Sequence, residues 1–256
     1  MTRQQRVVDL NADLGESFGA WRLGDDDALL QVVTSANIAC GFHAGDPLTI
    51  RLACARAVAL GVTIGAQVSY RDLAGFGRRE MTVPADELTA EVLYQIAALD
   101  GIARAEGGRV AYVKPHGALY KRAAHDAEQA AAVVAAICSY DPRLPLLTLP
   151  GSAAAAAAAE AGIAVVTEAF ADRAYNDDGT LVSRGQPGAV LTDHDAVAAR
   201  AATMVTDGKV HSAGGAQLTI RPDSVCVHGD TPGAVAMARA VREALARAGV
   251  VLAPFA

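Results

Sequence analysis

Residues 109–120, RVAYVKPHGALY, decide how this chain is read. Val110, Tyr112 and Val113 favour a pleated, extended backbone, and Gly107-Gly108 just before them ends a helix. The extended run then meets Lys114-Pro115-His116-Gly117. Proline has no N–H to give a sheet ladder and glycine lets the backbone turn, so the strand stops there. An ammonium and an imidazole are delivered together at its C-terminal tip. In a parallel α/β protein that is the end where ligands bind. Taken alone, a surface lysine and a turn histidine bonded to backbone account for the same residues.

The layout recurs on both sides of this stretch. Extended runs at 6–10, 35–39, 62–66, 144–149, 164–167 and 224–227 are each followed by polar or glycine-rich residues. Helical patterns lie between them. Asp25 to Asp27 open a short helix over 28–33, and Asp46-Pro47 start and Gly61 stops the next. Leu88, Val92, Leu93, Ile96, Leu99 and Ile102 recur at helical spacing across 84–106. Further helices are expected over 126–139, through the alanine run from Ala153, over 193–205, and to Ala248 after a Thr231-Pro232 cap. About seven strand-then-helix units imply a parallel sheet wrapped by helices. Polar groups follow nearly every strand, as the mouth of a closed barrel requires, whereas an open sheet would concentrate them at one switch point. With no linker in sight, 1–256 reads as a single α/β domain, a TIM-like (β/α)7 barrel. Residues 171–192, rich in Asp, Arg, Tyr and Gly, read as a lid.

Composition narrows the function. The chain has 256 residues, 52% of them hydrophobic, enough for a full core, with a net charge of −6. No basic cluster argues for nucleic acid. No apolar run reaches membrane length, and the opening MTRQQRVVDL lacks the apolar segment of a secretory leader. Cys40, Cys54, Cys138 and Cys226 are irregularly spaced, as reduced thiols would be. A cytoplasmic protein is expected, with a small-molecule substrate and neither a nucleic-acid nor a membrane partner.

The strand ends collect Asn11, Asp13, Glu16, Asn37, His43, Asp46, Gln67, Lys114, His116, Glu168, Asp172, Arg173, His228 and Asp230. Asp13 and Glu16 are an acid/base pair or metal ligands, unless one simply caps a turn. Asp13, His43 and His116 together offer a carboxylate and two imidazoles to a transition metal, although no HExxH or HxH spacing supports it. Cys40 reads as a small buried strand-end residue, with a thiol nucleophile as the alternative. Lys114 and Arg173 suit a carboxylate or phosphate. Gly151-Ser152 at a helix start is a weak anion signal. GxxxxGK[ST] and GxGxxG are both absent.

Six longer segments go further: DLNADLGESFG, SANIACGFHAGDP, GAQVSYRDLAGFGRREM, YVKPHGALY, EAFADRAYNDDGTLVSR and VCVHGDTPGA. In this order, from residue 9 to about 235, they resemble the LamB/YcsF lactam-utilisation family. That resemblance implies a distorted barrel related to glycoside hydrolase and deacetylase folds. It implies cleavage of the 5-oxoproline lactam to L-glutamate coupled to ATP hydrolysis, with 5-oxoprolinase subunits B and C as partners. The cofactor it implies is ATP as co-substrate; the residues themselves leave room for a divalent metal, either magnesium with ATP or a transition metal at Asp13, His43 and His116. The polar motif residues carried over by position are Asn11, Asp13, Glu16, Asn37, His43, Lys114, His116, Glu168, Arg173 and His228. On this reading Asn11, Asn37, Lys114 and Arg173 bind substrate. Asp13, Glu16, His43, His116, Glu168 and His228 are the catalytic candidates, with Asp13 or Glu168 the base and His43 or His116 the proton shuttle.

Overall fold

The computed structural model describes residues 6–230 and 233–256. Its strands are β1 (Val7–Leu14), β2 (Ser35–Ala39), β3 (Thr63–Val68), β4 (Val110–Pro115), β5 (Leu146–Thr148), β6 (Val165–Phe170), β7 (Lys209–His211), β8 (Gln217–Thr219), β9 (Ser224–His228) and β10 (Val251–Leu252). Seven of them, β1-β2-β3-β4-β5-β6-β9, pair in parallel, and β9 returns to β1 to close a barrel. Strand β10 pairs with the start of β1, Val7 to Val251. The expected barrel is therefore what the chain forms. Strands such as β2 and β9 are buried at every position, because the lumen covers one face and helices cover the other.

Those helices are α1 (Asp26–Leu30), α2 (Pro47–Leu60), α3 (Ala85–Ala105), α4 (Gly117–His125), α5 (Ala127–Tyr140), α6 (Ala153–Glu160), α7 (His194–Asp207) and α8 (Ala234–Arg247). Asp46 caps α2 by accepting from the Leu48 and Thr49 amides, and Gly61 ends it in the left-handed conformation. In α3 the apolar stripe Leu88, Val92, Ile96, Leu99 is buried against the barrel. Ser152 caps α6 through the Ala155 amide, so its hydroxyl serves the helix itself.

Several boundaries differ from expectation. β1 runs four residues past Leu10, and β6 runs to Phe170 through Glu168. Both extensions carry polar strand residues facing the lumen, where hydrophobicity does not mark them. Helix α4 follows His116 directly, where a loop was expected. The antiparallel β7–β8 hairpin is an addition between α7 and β9. The Thr231-Pro232 cap lies outside the described residues. The 171–192 segment is organised by backbone bridges Arg173–Val190 and Tyr175–Leu181.

Within the barrel, Tyr112 occupies space that only a glycine can leave. A Cβ on Gly65 of the neighbouring strand would overlap the Tyr112 ring. Tyr112 then meets Phe255 edge-on at 4.8 Å, which brings the C-terminal segment against the barrel.

Candidate active site

Successive strand residues face opposite sides, so alternate positions enter the lumen. Here many of those positions are polar: Asp9, Asn11 and Asp13 on β1, Ser35 and Asn37 on β2, Tyr112 and Lys114 on β4, Ser224 and Cys226 on β9. They join into one network. Asp9 accepts from Thr34 at 2.5 Å, from Ser35 at 2.7 Å and from Ser224. Asn11 donates to Ser224 at 2.7 Å and to Glu168 at 3.1 Å. Asn37 donates to Asn11 Oδ1 at 2.7 Å and Asp13 Oδ1 at 2.9 Å, while accepting from the Tyr112 hydroxyl at 2.6 Å.

Lys114 stands at the upper end of this network. Its Nζ lies 2.7 Å from Glu168 Oε1, 3.2 Å from Asp13 Oδ1, 3.3 Å from Asn11 Oδ1 and 3.2 Å from Cys226 Sγ. Burial alone would push the lysine pKa down, but Asp13, Cys226 and Glu168 outweigh it and hold the ammonium charged. Burial would likewise raise Asp13, yet Lys114, His228, His116 and the Asn37 hydrogen bond drive it well below the usual carboxylate range. Asn11 and Asn37, expected to touch substrate, are hydrogen-bonded into this charged centre.

His228, at the tip of β9, has Nδ1 2.9 Å from both oxygens of Asp172. Burial raises the Asp172 pKa, but His228 and its hydrogen bonds bring it below its ordinary value. An ionised carboxylate only accepts, so Nδ1 donates to Asp172 and Nε2 is left facing away from that bond. The ring stacks on Phe170 with centroids 5.5 Å apart.

The third group departs from expectation. The carboxylate that joins His43 and His116 is Glu16, not Asp13, because Lys114 has claimed Asp13. Glu16 Oε1 is 3.7 Å from Nε2 of each histidine, and the two rings stack with centroids 4.1 Å apart. Gln67 donates to Glu16 at 3.1 Å. Burial, then Asp13 and Asp230, raise Glu16 well above its ordinary pKa. Burial depresses His43 to about 4, and burial together with His43 depresses His116 well below 6.5. The two imidazoles are therefore neutral near pH 7, beside a carboxyl whose proton is held more tightly than usual. Both nitrogens of His43, Nδ1 of His116, the Gln67 oxygen and the Ser69 hydroxyl are buried without a hydrogen-bond partner among the described residues. Gly77 closes over them at a positive φ of 64°, where a Cβ would strike Ser69 and His43. Phe76 packs its ring edge-on against both imidazoles.

The donor chemistry of this trio fits a divalent metal, and ligands about 2.1 Å from one ion can span such separations. The unpartnered nitrogens fit as well. The rings are only 19° from parallel, however, so one must turn before both lone pairs meet at one point.

A cavity of about 370 Å³ opens at the strand ends, lined by Asp13, Lys114, His116 and His228 among others. Arg173 also lines it, with Nε held by the Ala189 carbonyl at 3.1 Å and Nη2 by the Val182 carbonyl at 2.5 Å. Two candidates fall elsewhere, Asp46 as a helix cap and Cys40 as a buried thiol whose pKa burial pushes up, while Asp230 pairs at 2.5 Å with Arg78 of the cavity lining. Sequence reasoning missed Asp9, Ser35, Ser224, Tyr112, Lys121 and Arg184. The first four carry a signal in the alternation D-x-N-x-D, S-x-N, Y-x-K and S-x-C. Lys121 and Arg184 carry none, being single cations on a helix and in a loop.

A closed parallel barrel with an ion pair, a His–Asp couple and a small cavity at its strand ends defines a class: a barrel protein whose mouth is equipped for acid–base chemistry. The chain belongs to the LamB/YcsF family, whose sequence model matches residues 8–256. A Streptomyces avermitilis protein described as the A subunit of 5-oxoprolinase is 60% identical over 250 residues, 98% of this chain and 100% of that one. An Acinetobacter baumannii protein of the same description is 58% identical over 248 residues, 97% of this chain and 98% of its own. The crystal structure of a lactam utilization protein from Thermus thermophilus superposes with a TM-score of 0.92 at 48% identity, covering 97% of this chain and 99% of that chain. A family 4 carbohydrate esterase from Streptomyces lividans shares the fold at a TM-score of 0.51 and 13% identity, over 99% of this chain and 94% of that one.

Proposed function

We propose that this chain is the A subunit of an ATP-dependent 5-oxoprolinase, which opens the lactam of 5-oxoproline to L-glutamate together with subunits B and C. The observation that carries the reading is the Lys114–Asp13 pair, 3.2 Å apart, in a cavity that His116 and His228 also line. Full-length identity to proteins described as A subunits of 5-oxoprolinase supports it. In the reaction the ring C–N bond breaks, the carbon takes an oxygen from water and the nitrogen takes a proton. A five-membered lactam is a stable amide; transfer of the ATP γ-phosphoryl group to its oxygen, with ADP leaving, makes the carbon electrophilic, and after water adds to that carbon the C–O bond to the phosphoryl group breaks and phosphate departs.

The chain's own groups suit that chemistry. The Lys114 ammonium, fixed by Asp13, Glu168 and Asn11, pairs with the negative charge of the substrate carboxylate or of the transferred phosphoryl group. His228 Nε2, with Asp172 fixing the tautomer, moves the proton. Asp13, ionised and lining the cavity, is the alternative base.

The test is glutamate release from 5-oxoproline by this chain, alone and with its partner subunits, with and without ATP. Release only with partners and ATP is expected. Release by the chain alone without ATP moves the reading to a metal-dependent amide hydrolase, which the Glu16–His43–His116 group favours. A divalent ion held by those three side chains would supply Lewis-acid polarisation of an amide. Zinc, nickel or cobalt binding at one equivalent by calorimetry, abolished in His43→Ala, supports that reading, and no binding removes it.

A further inference from the structure

The cavity has a second set of polar groups that the Lys114 centre does not use. Arg78 from the β3–α3 loop, Lys121 from α4, and Arg173 and Arg184 from the segment after β6 all line it. Their partners are few. Arg78 Nη2 lies 2.5 Å from Asp230 Oδ2, and Arg184 Nη1 lies 3.8 Å from the same oxygen, so two guanidiniums share one carboxylate. Among the described residues Lys121 and Arg173 form no ion pair; Glu80 is the acid on this part of the lining, and Asp172, bonded to His228, acts on Arg173 and Arg184 from outside it. Four cations therefore face this part of the cavity, two of them sharing Asp230 and two of them feeling Asp172 from its place against His228.

That arrangement is unfavourable when nothing else is present. Burial lowers the Lys121 pKa, and Arg173, Arg184 and Arg78 lower it further. Burial and Arg184 bring Arg173 down to about 10. Arg173 cannot swing away, because two lid carbonyls hold it. Preorganised cations facing a cavity describe an anion site. Lys121 and Arg173, which form no ion pair, and Arg184, 3.8 Å from a carboxylate it shares, offer several donors to the oxygens of a phosphoryl group, which carries about −1.5 to −2 near pH 7.

We propose that Lys121, Arg173 and Arg184 form a phosphoryl subsite beside the Lys114–Asp13 centre. This inference rests on reading the cavity as the reaction site. It places two ligand groups side by side in one small cavity, a lactam at the strand ends and a phosphoryl group against α4 and the lid. The phosphoryl group arrives either on a nucleotide or as free phosphate or a phosphorylated lactam, since the cation set recognises the same oxygens in each.

Calorimetry on the full chain at low salt, with inorganic phosphate, ATP and 5-oxoproline as separate titrants, tests it. Lys121→Met and Arg184→Gln are compared with Arg51→Gln, a surface change of equal charge at the Glu106 pair. Phosphate is expected to bind the wild type and Arg51→Gln, and to weaken by roughly tenfold or more in both cavity variants, while 5-oxoproline changes by less than about threefold. ATP weakened by the same variants assigns the group to a nucleotide; phosphate binding without ATP binding assigns it to the smaller sources. Phosphate that fails to bind, or binds all variants alike, overturns the subsite. 5-Oxoproline binding in that case leaves the proposed function standing, and its absence counts against both.

Discussion

Asp13 and Glu16 lie three positions apart, both buried at the same strand end, and their pKa values are driven in opposite directions. Burial raises the pKa of each. Asp13 has Lys114 within 3.2 Å and an Asn37 amide at 2.9 Å, and it ionises. Glu16 has one Gln67 amide and two neutral imidazoles, and burial with Asp13 and Asp230 pushes its pKa well above the ordinary value. Carboxylates driven apart in this way can serve as base and acid in one site. The histidines repeat the contrast. His228 is oriented by an ionised partner, whereas His43 and His116 are stacked, neutral and short of partners. What separates the two regions is the position of one cation, Lys114.

Removing that cation is the most direct way to break the contrast. Lys114→Met leaves Asp13 and Glu168 buried without a counter-charge, and denaturant unfolding should show a loss of about 3–5 kcal/mol. A loss under about 1 kcal/mol would mean that the pair is not charged in the folded protein. Asp172→Asn removes the group that fixes the His228 tautomer. Turnover of the assembled enzyme should fall roughly 10²–10⁴-fold with the fold retained, and an unchanged rate would take His228 out of the chemistry.

Stability against pH sharpens the comparison. The folded pKa of Asp13 is depressed, so its contribution is present above about pH 3.8 and is lost as pH falls. The folded pKa of Glu16 is raised, so it penalises the folded state increasingly as pH rises past about 4.5. Glu16→Gln should therefore gain stability relative to wild type between about pH 5 and pH 8, whereas Asp13→Asn should lose it there. Parallel curves for the two variants would refute the assignment. The smallest effect is expected at Asp46, which caps α2 and also accepts from the Gly19 amide at 2.8 Å, in the loop that carries Glu16. Asp46→Ala should cost about 1 kcal/mol in thermal unfolding. It should disturb the Glu16 group before the Lys114 centre, which chemical shifts of the histidine rings would report.

Much of the barrel was legible because strand ends announce themselves. Proline and glycine after Lys114, and glycines near His43 and His228, mark where extended chain stops and turns. Less legible was how far strands reached. Apolar residues suggested an end at Leu10, yet β1 continues through Asn11 and Asp13, since the lumen accepts polar residues that bond to one another. The period of two in Asp9, Asn11 and Asp13 was available and is the better guide.

From the sequence alone came the alternation of strands and helices, the family, and the short roster of acids, imidazoles and cations at strand ends. Chain order and local backbone chemistry are enough for those. Only the closed barrel decided which of them meet. It pairs β1 with both β2 and β9, bringing Asp13 beside Asn37 and His228, and carries Lys114 to Glu168 across the lumen. Charge state follows from that meeting, because a buried carboxylate ionises or keeps its proton according to the groups a few ångströms away in space, whatever their separation along the chain.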